Sequence, residues 1–569
     1  MKSIIYPTVI CLILYSMSAF ATGRETIRLN GKWQFEQTDR AFPPQKYSRT
    51  IPVPGFIHLA EPKIEQYDKL YAKSTIAQNK TDHRVLDTQY DPKYNWYRKT
   101  IVIPKSLQNK QVVLSIKKSQ YVTTVYVNGM DAGSSMECYT PIDLPITPFI
   151  KFGESNEIVI RVGDRNWLPS QAAGSTDKEK VIYLPGIWDD VELSFTGMQR
   201  LHKVMVLPSL RQEKATVKIL VRNFYPAQQK YGDPMEDSLC VRVSVCEKST
   251  GKIFAPPAEK CLFSLRDNLT FIELAVPMPA AHSWSPDDPF LYEAHVEIVT
   301  TRGECLDAVD ETFGMRDFSR HGKFFYLNGE RCELRGTNIT LHRFFEDPDC
   351  HDLPWDRKWV TKLLSHYPKQ LNWNAMRVCV GIAPDFWVDI ADSVGMMFQN
   401  EWLYWQDHGW DEQIRSEYSN WVWSDGSHPS IIIWDAINEN WNEFVGNVLI
   451  PDLKKLDPTR IWDAGYMTSE HMAGDEMDEP HPYSQGSWMF QNMEEIRRNP
   501  LPLGDLHHWT KDWHIQFESS AAQLVNEYGW VWLWRNGYPS HLTKVVYDYY
   551  LAADATPEDR WEMQAYWLQ

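Results

Sequence analysis

The chain has 569 residues, of which 43% are hydrophobic and 23% are charged, so it is a globular protein of several domains and not a disordered one. Its formal net charge of −17 excludes a nucleic acid or an anionic membrane surface as the main partner, because either would require clustered Lys and Arg. The 25 tryptophans favour a carbohydrate ligand, since sugar rings stack on aromatic side chains, although core packing accounts for about two-thirds of them.

The first 21 residues are predicted to be a secretory signal peptide. Lys2 gives a basic start, residues 4–14 are mostly apolar, and Ala19-Phe20-Ala21 offers a cleavage site of the small-x-small type. The apolar run is too short to span a bilayer, and no later run predicts a membrane helix. We therefore expect export to the periplasm or the extracellular space, cleavage after Ala21 and no membrane partner.

Eight cysteines remain in the mature chain, without the Cys-x-x-Cys or Cys/His spacing of a metal site. This density is too low for a disulfide scaffold. Cys240 and Cys246 lie on one predicted strand and are too far apart to bond to each other. Since no dinucleotide fingerprint or phosphate-binding loop stands out either, we predict no metal and no cofactor.

Residues 22–198 are predicted to form an antiparallel β-sandwich, because short alternating runs end at turn residues such as Asn128-Gly129. The predicted strands are 26–35, 112–117, 122–127, 157–162 and 191–195. A second β segment covers residues 199–315, with candidate strands at 215–221, 238–245 and 292–300.

The pattern changes over residues 316–569, where apolar runs of four to seven residues alternate with helical stretches. This alternation predicts crossover units and a parallel sheet. Seven strand candidates are found, nearly the eight of a (β/α)8 TIM barrel. They are 332–336, 374–379, 396–400, 431–437, 461–464, the residues just before Tyr483, and 523–526.

A last helix is predicted to begin at Thr556, an N-cap residue that is followed by Pro557 and by Asp559 of a capping box. No eighth strand follows it. A barrel that lacks one strand leaves two sheet edges open. We therefore expect a C-terminally incomplete barrel that is the front part of a longer protein, with little activity as it stands. A naturally seven-stranded or partner-completed barrel is the alternative.

Two glutamates each close a short apolar run at a predicted strand end, Glu439 after 431–437 and Glu527 after 523–526. Placing a carboxylate at the end of a buried strand is energetically unfavourable, so such a group indicates a catalytic role. Because active sites of barrels lie at the carboxyl ends of the strands, we expect both groups to face one pocket. Two such carboxylates are what hydrolysis of a glycosidic bond requires.

A series of short motifs runs in one order through all three segments: Leu29-Asn30-Gly31-Lys32-Trp33, Trp96-Tyr97-Arg98, Gly186-Ile187-Trp188, Trp284-Ser285-Pro286, Phe313-Gly314-Met315-Arg316, Leu334-Arg335-Gly336 and Asn374-Ala375-Met376-Arg377. In these motifs the chain resembles glycoside hydrolase family 2, the family of β-galactosidases, β-glucuronidases and β-mannosidases. The resemblance implies a jelly-roll-like sugar-binding sandwich over 22–198, an immunoglobulin-like sandwich over 199–315 and a TIM-barrel catalytic domain over 316–569.

Position by position, the resemblance implies that Glu439 is the acid/base and Glu527 the nucleophile of a retaining double displacement. Asn438 would hydrogen-bond the sugar 2-hydroxyl, and the charge of Arg377 would keep Glu527 ionised. Further substrate-binding candidates, each with a structural role as the alternative, are Tyr483, His481, Asn338, His342 and Trp530.

The chain departs from the family pattern at several positions. His342 stands four residues after Asn338, where the family usually has a histidine two residues after its asparagine. Glu401, after the third strand, is interpreted as a salt-bridged surface acid. The aromatic floor of the sugar pocket has unranked candidates, namely Trp402, Trp405, Trp441, Trp530 and Trp532.

The sequence thus predicts an exported retaining exo-β-glycosidase that acts at the non-reducing ends of glycans, similar to β-galactosidases or β-glucuronidases. Its partner is a carbohydrate substrate, and an oligomer is compatible with the sequence. The alternatives are a carbohydrate-binding protein with a defunct barrel and an inactive fragment of such an enzyme. The sugar, the linkage and the oligomeric state stay open.

Overall fold

The computed structural model describes residues 23–64, 93–163, 184–224, 239–262, 268–345, 350–405, 409–465, 472–479, 481, 521–527, 531–534, 536–539 and 543–568. The predicted signal peptide, residues 1–21, lies outside the described residues, which begin at Gly23. Across the described part of the chain, none of the helices has the length and apolar character needed to cross a membrane.

The first domain is an antiparallel sandwich. Its strands are β1 (Glu25–Arg28), β2 (Gly31–Thr38), β3 (Arg49–Val53), β4 (Gly55–Phe56), β5 (Tyr94–Val102), β6 (Gln111–Ile116), β7 (Ser119–Gln120), β8 (Thr123–Val127), β9 (Met130–Ser135), β10 (Ile142–Pro145), β11 (Ser155–Gly163), β12 (Gly186–Ile187) and β13 (Val191–Thr196). The two main sheets have the orders β1-β13-β6-β10 and β3-β2-β5-β11-β8-β9, and β4-β12-β7 form a small third sheet. Short 3-10 turns occur at Ile57–Leu59, Lys105–Leu107 and Thr147–Phe149.

The single strand predicted over 26–35 is in fact two strands that enter different sheets. β1 pairs with β13, whereas β2 pairs with β3 and β5. The break falls at Gly31, whose φ of +94° is a conformation that residues with a Cβ rarely adopt. Asn30 stabilises the break, because its side chain donates to Asp190 at 2.6 Å and accepts from the Val191 N–H at 3.0 Å.

The second domain has its own hydrophobic core and two antiparallel sheets. Its strands are β14 (Gln199–Ser209), β15 (Lys214–Asn223), β16 (Leu239–Glu247), β17 (Ile253–Leu262), β18 (Leu269–Pro277), β19 (Tyr292–Thr300) and β20 (Cys305–Phe313). They are ordered β14-β15-β18 and β17-β16-β19-β20. A disulfide joins Cys240 to Cys261, which are directly opposite each other on β16 and β17, and Cys246 is a free thiol.

The third domain contains the parallel strands. A small antiparallel sheet, β21 (Phe318–His321), β22 (Phe324–Leu327) and β23 (Glu330–Cys332), precedes β24 (Gly336–Ile339), β25 (Ala375–Val378), β26 (Met397–Glu401), β27 (Ile431–Asp435), β28 (Ile461–Asp463), β29 (Met477–Asp478) and β30 (Ala522–Gln523). Strands β24 to β28 form one parallel sheet in chain order, and β29 pairs in parallel with β30. The predicted barrel architecture is confirmed, although its first strand begins at Gly336 because Cys332 belongs to β23.

Helices connect the parallel strands. They are α1 (Leu341–Phe345), α2 (Arg357–Thr361), α3 (Tyr367–Gln370), α4 (Asp385–Val394), α5 (Asp411–Asp425), α6 (Ile450–Leu456), α7 (Lys544–Tyr550) and α8 (Pro557–Leu568), with a 3-10 turn at Leu353–Trp355 and π-helical turns at Lys362–His366 and Val445–Leu449. The predicted cap of the last helix is present, since the Asp559 N–H donates to Thr556 Oγ1 at 3.2 Å and the Thr556 N–H donates to Asp559 Oδ2 at 2.8 Å.

The amino end of the barrel is closed by apolar side chains. Phe318 and Phe325 of the small antiparallel sheet share a core cluster with residues at the beginnings of the parallel strands, among them Ala375, Met397 and Ile461. Because this end is filled, the carboxyl ends of the strands are where a ligand can enter.

Four buried tryptophans pack together between the parallel sheet and α5. Trp421 of α5 lies with its ring centroid 4.7 Å from that of Trp434 and 5.3 Å from that of Trp402. Trp462 continues the cluster at 5.9 Å from Trp434. All four side chains are at most 1% exposed, so the packing of these strands depends on them.

An ion cluster connects the first sandwich to the barrel. Lys118 of the sandwich, 2% exposed, lies 3.0 Å from Asp189 and also contacts Asp385 at the beginning of α4. The Asp385 N–H donates to the same Asp189 carboxylate at 2.8 Å. The contact therefore joins two domains through one buried cation.

Replacing Lys118 by Met should destabilise the protein by about 3–5 kcal/mol, because it leaves the buried Asp189 carboxylate without its cation. Chemical denaturation would measure this loss. Lys32→Met is the matched control, since the Lys32–Glu61 pair is exposed and its charged atoms are 4.0 Å apart; its loss should stay below about 1 kcal/mol. Equal effects of the two substitutions would contradict a structural role for the ion cluster.

Candidate active site

The carboxyl ends of the parallel strands bring together most of the residues that the sequence singled out. Glu439 follows β27, His481 follows β29 and Glu527 follows β30. One side-chain atom from each of the three lies within 4.8 Å of one from each of the others. The Glu439 and Glu527 side chains are 17% and 24% exposed, so both remain open to a ligand. This close spacing suits the roughly 5–5.5 Å of a retaining glycosidase better than the roughly 6.5–9.5 Å of an inverting one.

Arg377, at the end of β25, is the central cation of the site. Its guanidinium donates to Glu527 Oε1 at 2.5 Å, to Asn438 Oδ1 at 2.8 Å and to Asp435 Oδ2 at 3.3 Å, and it also contacts Glu401. Burial alone would lower the pKa of Arg377, but these carboxylates raise it well above its usual range. The group is therefore charged at every pH of interest and favours the ionised form of Glu527.

His481 lies between the two glutamates. Its Nδ1 is 2.8 Å from Glu439 Oε1 and 3.9 Å from Glu527 Oε1, and its Nε2 is 3.7 Å from Glu479 Oε2. Burial would lower the pKa of this imidazole, but hydrogen bonds to Glu439 and Glu479 outweigh burial and raise the pKa to about 10. His481 is thus a cation at neutral pH.

The backbone at Glu439 adopts a left-handed conformation with a φ of +43°, which is uncommon for a residue with a side chain. Strain of this kind concentrates at functional sites. The preceding residue is held on both sides, because the Asn438 N–H donates to the Tyr404 carbonyl at 2.8 Å and its side-chain oxygen accepts from Arg377.

Asn338, at the end of β24, connects the first parallel strand to the segment that carries Glu527. Its amide donates to the Asn526 carbonyl at 2.9 Å, and the Asn526 amide donates to Glu479 Oε2 at 2.6 Å. In this structure Asn338 therefore positions the neighbouring segment.

Three family profiles match the chain in sequence order: the sugar binding domain of glycosyl hydrolases family 2 over residues 26–196, the family 2 domain over 200–316 and the family 2 TIM barrel domain over 349–519. The chain belongs to glycoside hydrolase family 2. The sandwich, immunoglobulin-like sandwich and barrel of this family 2 chain follow the order that the sequence predicted.

Among curated proteins, the family 2 chain is similar to a β-galactosidase of Clostridium acetobutylicum, at 22% identity over 472 residues that cover 76% of this chain. It spans 48% of the length of that relative. Among solved structures it is similar to a β-glucuronidase of Bacteroides uniformis (TM-score 0.66, 20% identity, covering 89% of this chain and 59% of that chain). A β-galacturonidase from Eisenbergiella tayi bound to galacturonate gives a TM-score of 0.64 at 20% identity, covering 90% and 83%. At such identities the structures establish the fold alone.

The sequence analysis missed a layer of buried acids beneath the glutamate pair. Asp435, Asp463 and Glu479 are each at most 1% exposed, and one carboxylate oxygen of each lies within 4.8 Å of the others. Burial and the nearby Glu479 carboxylate raise the pKa of Asp435 to about 7, although Arg377 opposes this shift. The pKa of Asp463 is also raised by burial and by these neighbours. A repeated signal was available, because β27 and β28 both end in Trp-Asp.

The prediction for Glu401 is wrong in one respect. It does form a salt bridge, with Arg377, but its side chain is 0% exposed and so it is not a surface acid. It also accepts a hydrogen bond from the Val380 N–H. Burial raises the pKa of Glu401 well above its usual range, although Arg377 opposes the shift.

Among the described residues, two groups at this site are close enough to ligate a metal ion by distance alone, namely Glu439 with His481 and Glu527, and the three buried acids beneath them. The cations Arg377 and His481 already balance part of the carboxylate charge in both groups. We therefore assign no metal to either.

The structure buries His342, a predicted substrate-binding residue, against the first sandwich. This histidine is 1% exposed and its ring packs edge-on against Trp188 at 5.1 Å and Tyr139 at 5.9 Å, both from the first sandwich. Its Nε2 lies 3.3 Å from the Ile382 carbonyl. His342 thus packs at the interface between the domains. Its offset of two residues from the family pattern is the sequence signal that fits this position.

The tryptophans proposed for the floor of the sugar pocket differ in their exposure. Trp402 is part of the buried tryptophan cluster and Trp405 is 7% exposed, whereas Trp441 and Trp532 are 37% and 40% exposed. Tyr483 and Trp530 lie outside the described residues.

The buried acids predict that stability falls as the pH rises. The folded-state pKa of Asp435, about 7, exceeds the ordinary value of 3.8, so between these values the folded protein keeps a proton that the unfolded chain has lost. His481 acts in the same direction from its ordinary 6.5 to about 10. Asp435→Asn mimics the neutral acid. It should therefore remove the loss of stability that comes from Asp435 and keep the loss that comes from His481.

Thermal melting of both proteins at several pH values would test this prediction. Relative to wild type, the melting temperature of Asp435→Asn should rise by several degrees between pH 4 and pH 8. A difference that stays constant with pH would show that Asp435 does not hold this proton.

Proposed function

We propose that this chain carries the catalytic machinery of a retaining exo-β-glycosidase that cleaves a β-galactoside or β-glucuronide at the non-reducing end of a glycan. The observation that supports this most strongly is the close pair of partly exposed carboxylates, Glu439 and Glu527, with Arg377 bonded to the second. The similarity to a β-galactosidase and a β-glucuronidase supports the two sugar classes.

In the first half of the reaction the Glu527 carboxylate attacks the anomeric carbon while the Glu439 carboxyl gives its proton to the glycosidic oxygen. The bond between carbon and leaving oxygen breaks, and a glycosyl ester of Glu527 forms. In the second half the Glu439 carboxylate takes a proton from water, the water oxygen attacks the anomeric carbon, and the ester bond breaks to release Glu527. Two inversions at one carbon give net retention.

Neighbouring groups prepare this pair for its two roles. Arg377 favours the ionised form that a nucleophile needs. The same guanidinium fixes the Asn438 amide oxygen, so the amide nitrogen is the atom that can donate to the sugar 2-hydroxyl. His481 holds Glu439 in place through the contact of its Nδ1 with Glu439 Oε1 at 2.8 Å.

Hydrolysis of nitrophenyl β-galactoside, β-glucuronide and β-mannoside would test the proposal, with proton NMR of the first sugar released. We expect the β-anomer to form first from the galactoside or the glucuronide. Initial release of the α-anomer would contradict a retaining mechanism. Hydrolysis of none of the three would leave the two alternatives, a carbohydrate-binding protein and an inactive fragment of such an enzyme.

We also propose that the protein is exported after cleavage at Ala21, to the periplasm or the extracellular space. The Cys240–Cys261 disulfide supports this, because such bonds persist in oxidising compartments. Intact-mass analysis of the protein from its native host should give an N-terminus at Thr22. A mass that includes Met1 would contradict export.

A further inference from the structure

A cavity of about 440 Å³ is lined in part by residues that closely follow Glu439 in the chain. Its walls include Tyr404, Asp411, Ile414, Trp441, Asn442 and Glu443. The volume falls in the range of about 300–1,000 Å³ that is typical of small-molecule sites. None of these six residues belongs to the glutamate pair or to its direct partners described above.

The cavity is built onto the segment that carries Glu439. Trp441 and Asn442 come two and three residues after Glu439, and the opposite wall is Tyr404, whose carbonyl accepts the Asn438 N–H. The two walls are also joined directly, because the Asn442 amide donates to the Tyr404 hydroxyl at 2.8 Å. Hydrogen bonds therefore join the cavity walls to the segment that carries Glu439.

We propose that this cavity binds the leaving sugar, with Trp441 as its stacking surface; the proposal rests on the function given above. Glu439 protonates the leaving oxygen, so the departing sugar lies beside Glu439, next to the segment that contributes Trp441 and Asn442 to the cavity. Trp441 is 37% exposed and offers an aromatic face, while Tyr404 and Ile414 are at most 3% exposed and provide a fixed wall. Such an arrangement suits the apolar face of a pyranose.

The charge of the walls selects among leaving sugars. Asp411 and Glu443 are both exposed, and among the described residues that line the cavity there is no Lys or Arg. Nearby Arg415 is bound to Asp452 at 2.9 Å. Two carboxylates without a lining cation repel an anion, so the cavity takes a neutral or amino-bearing sugar in preference to a uronate or a sulfated one.

Trp441→Ala would test the proposal on two substrates with the same sugar at the cleaved position, a neutral disaccharide and the methyl β-glycoside, whose leaving group needs the same proton but is not a sugar. We expect kcat/KM for the disaccharide to fall about ten-fold more than kcat/KM for the methyl glycoside. Trp561→Ala is the matched control, because Trp561 is 43% exposed on α8; it should change neither rate. Equal losses on both substrates, or no loss on either, would overturn the proposal.

The charge preference has its own variant, Asp411→Asn combined with Glu443→Gln. This protein should hydrolyse a disaccharide with a uronate leaving sugar several-fold better, relative to the neutral disaccharide, than wild type does. An unchanged ratio would overturn the selection by charge. If wild type hydrolyses neither the methyl glycoside nor any disaccharide, the proposed glycosidase function fails first, which distinguishes that failure from a failure at Trp441.

Discussion

Replacing Glu527 by Gln should reduce turnover by at least on the order of 10⁴-fold, because an amide cannot form the glycosyl ester while it can still accept a hydrogen bond from Arg377. Steady-state hydrolysis of a nitrophenyl glycoside measures this. Glu439→Ala should slow that substrate far less than a natural glycan, since nitrophenolate is a good leaving group that does not need the proton.

Added azide separates the two roles further. It should restore turnover of Glu439→Ala as a β-glycosyl azide, formed on the covalent intermediate, and of Glu527→Ala as an α-glycosyl azide, formed by direct attack. Glu333→Ala is a suitable control, because that carboxylate is 64% exposed on the connection before β24. Azide products of the opposite configuration would mean that the acid/base and nucleophile assignments are reversed or wrong.

Replacing Arg377 by Met should destabilise the barrel by about 3–5 kcal/mol and reduce kcat by on the order of a hundred-fold or more, because Glu401, Asp435 and Glu527 lose their shared cation. Arg377→Lys keeps the charge but cannot contact all of them at once, so it should recover stability more than activity. Denaturation curves and kcat measure the two effects separately.

A pH profile separates the charge of Arg377 from its geometry. Because Arg377→Met removes the positive charge, the acidic limb of kcat/KM should move to higher pH in that variant, and it should move much less in Arg377→Lys, which keeps the charge. A limb that stays in place in Arg377→Met while kcat falls would show that Arg377 only holds the geometry of the site.

The positions of Glu439 and Glu527 could be predicted because each ends an apolar run, and a barrel brings strand ends to one face. The buried acids could not be found in the same way. Asp435 and Asp463 are adjacent only because β27 and β28 pair with Asp435 opposite Asp463, and strand register is not readable from a single run. The burial of Glu401 likewise depends on its pairing with Arg377, which lies on the neighbouring strand.

Contacts between domains also could not be predicted from the sequence. The alternation of apolar residues predicted both sandwiches, yet it could not show that His342 packs against Tyr139 and Trp188 of the first sandwich. Asn30-Gly31 is a local turn signal at the break between β1 and β2. The break is stabilised by the contact of Asn30 with Asp190, which lies 160 residues away in the chain and could not be predicted from the local sequence.

The tryptophan cluster of the third domain gives this protein a spectroscopic label of its own. Indole rings with centroids 4.7–5.9 Å apart, as in Trp421, Trp434 and Trp462, couple their electronic transitions and produce a paired positive and negative band in circular dichroism. The decay of this band on heating would therefore report the melting of the parallel strands in the intact chain, without any added probe.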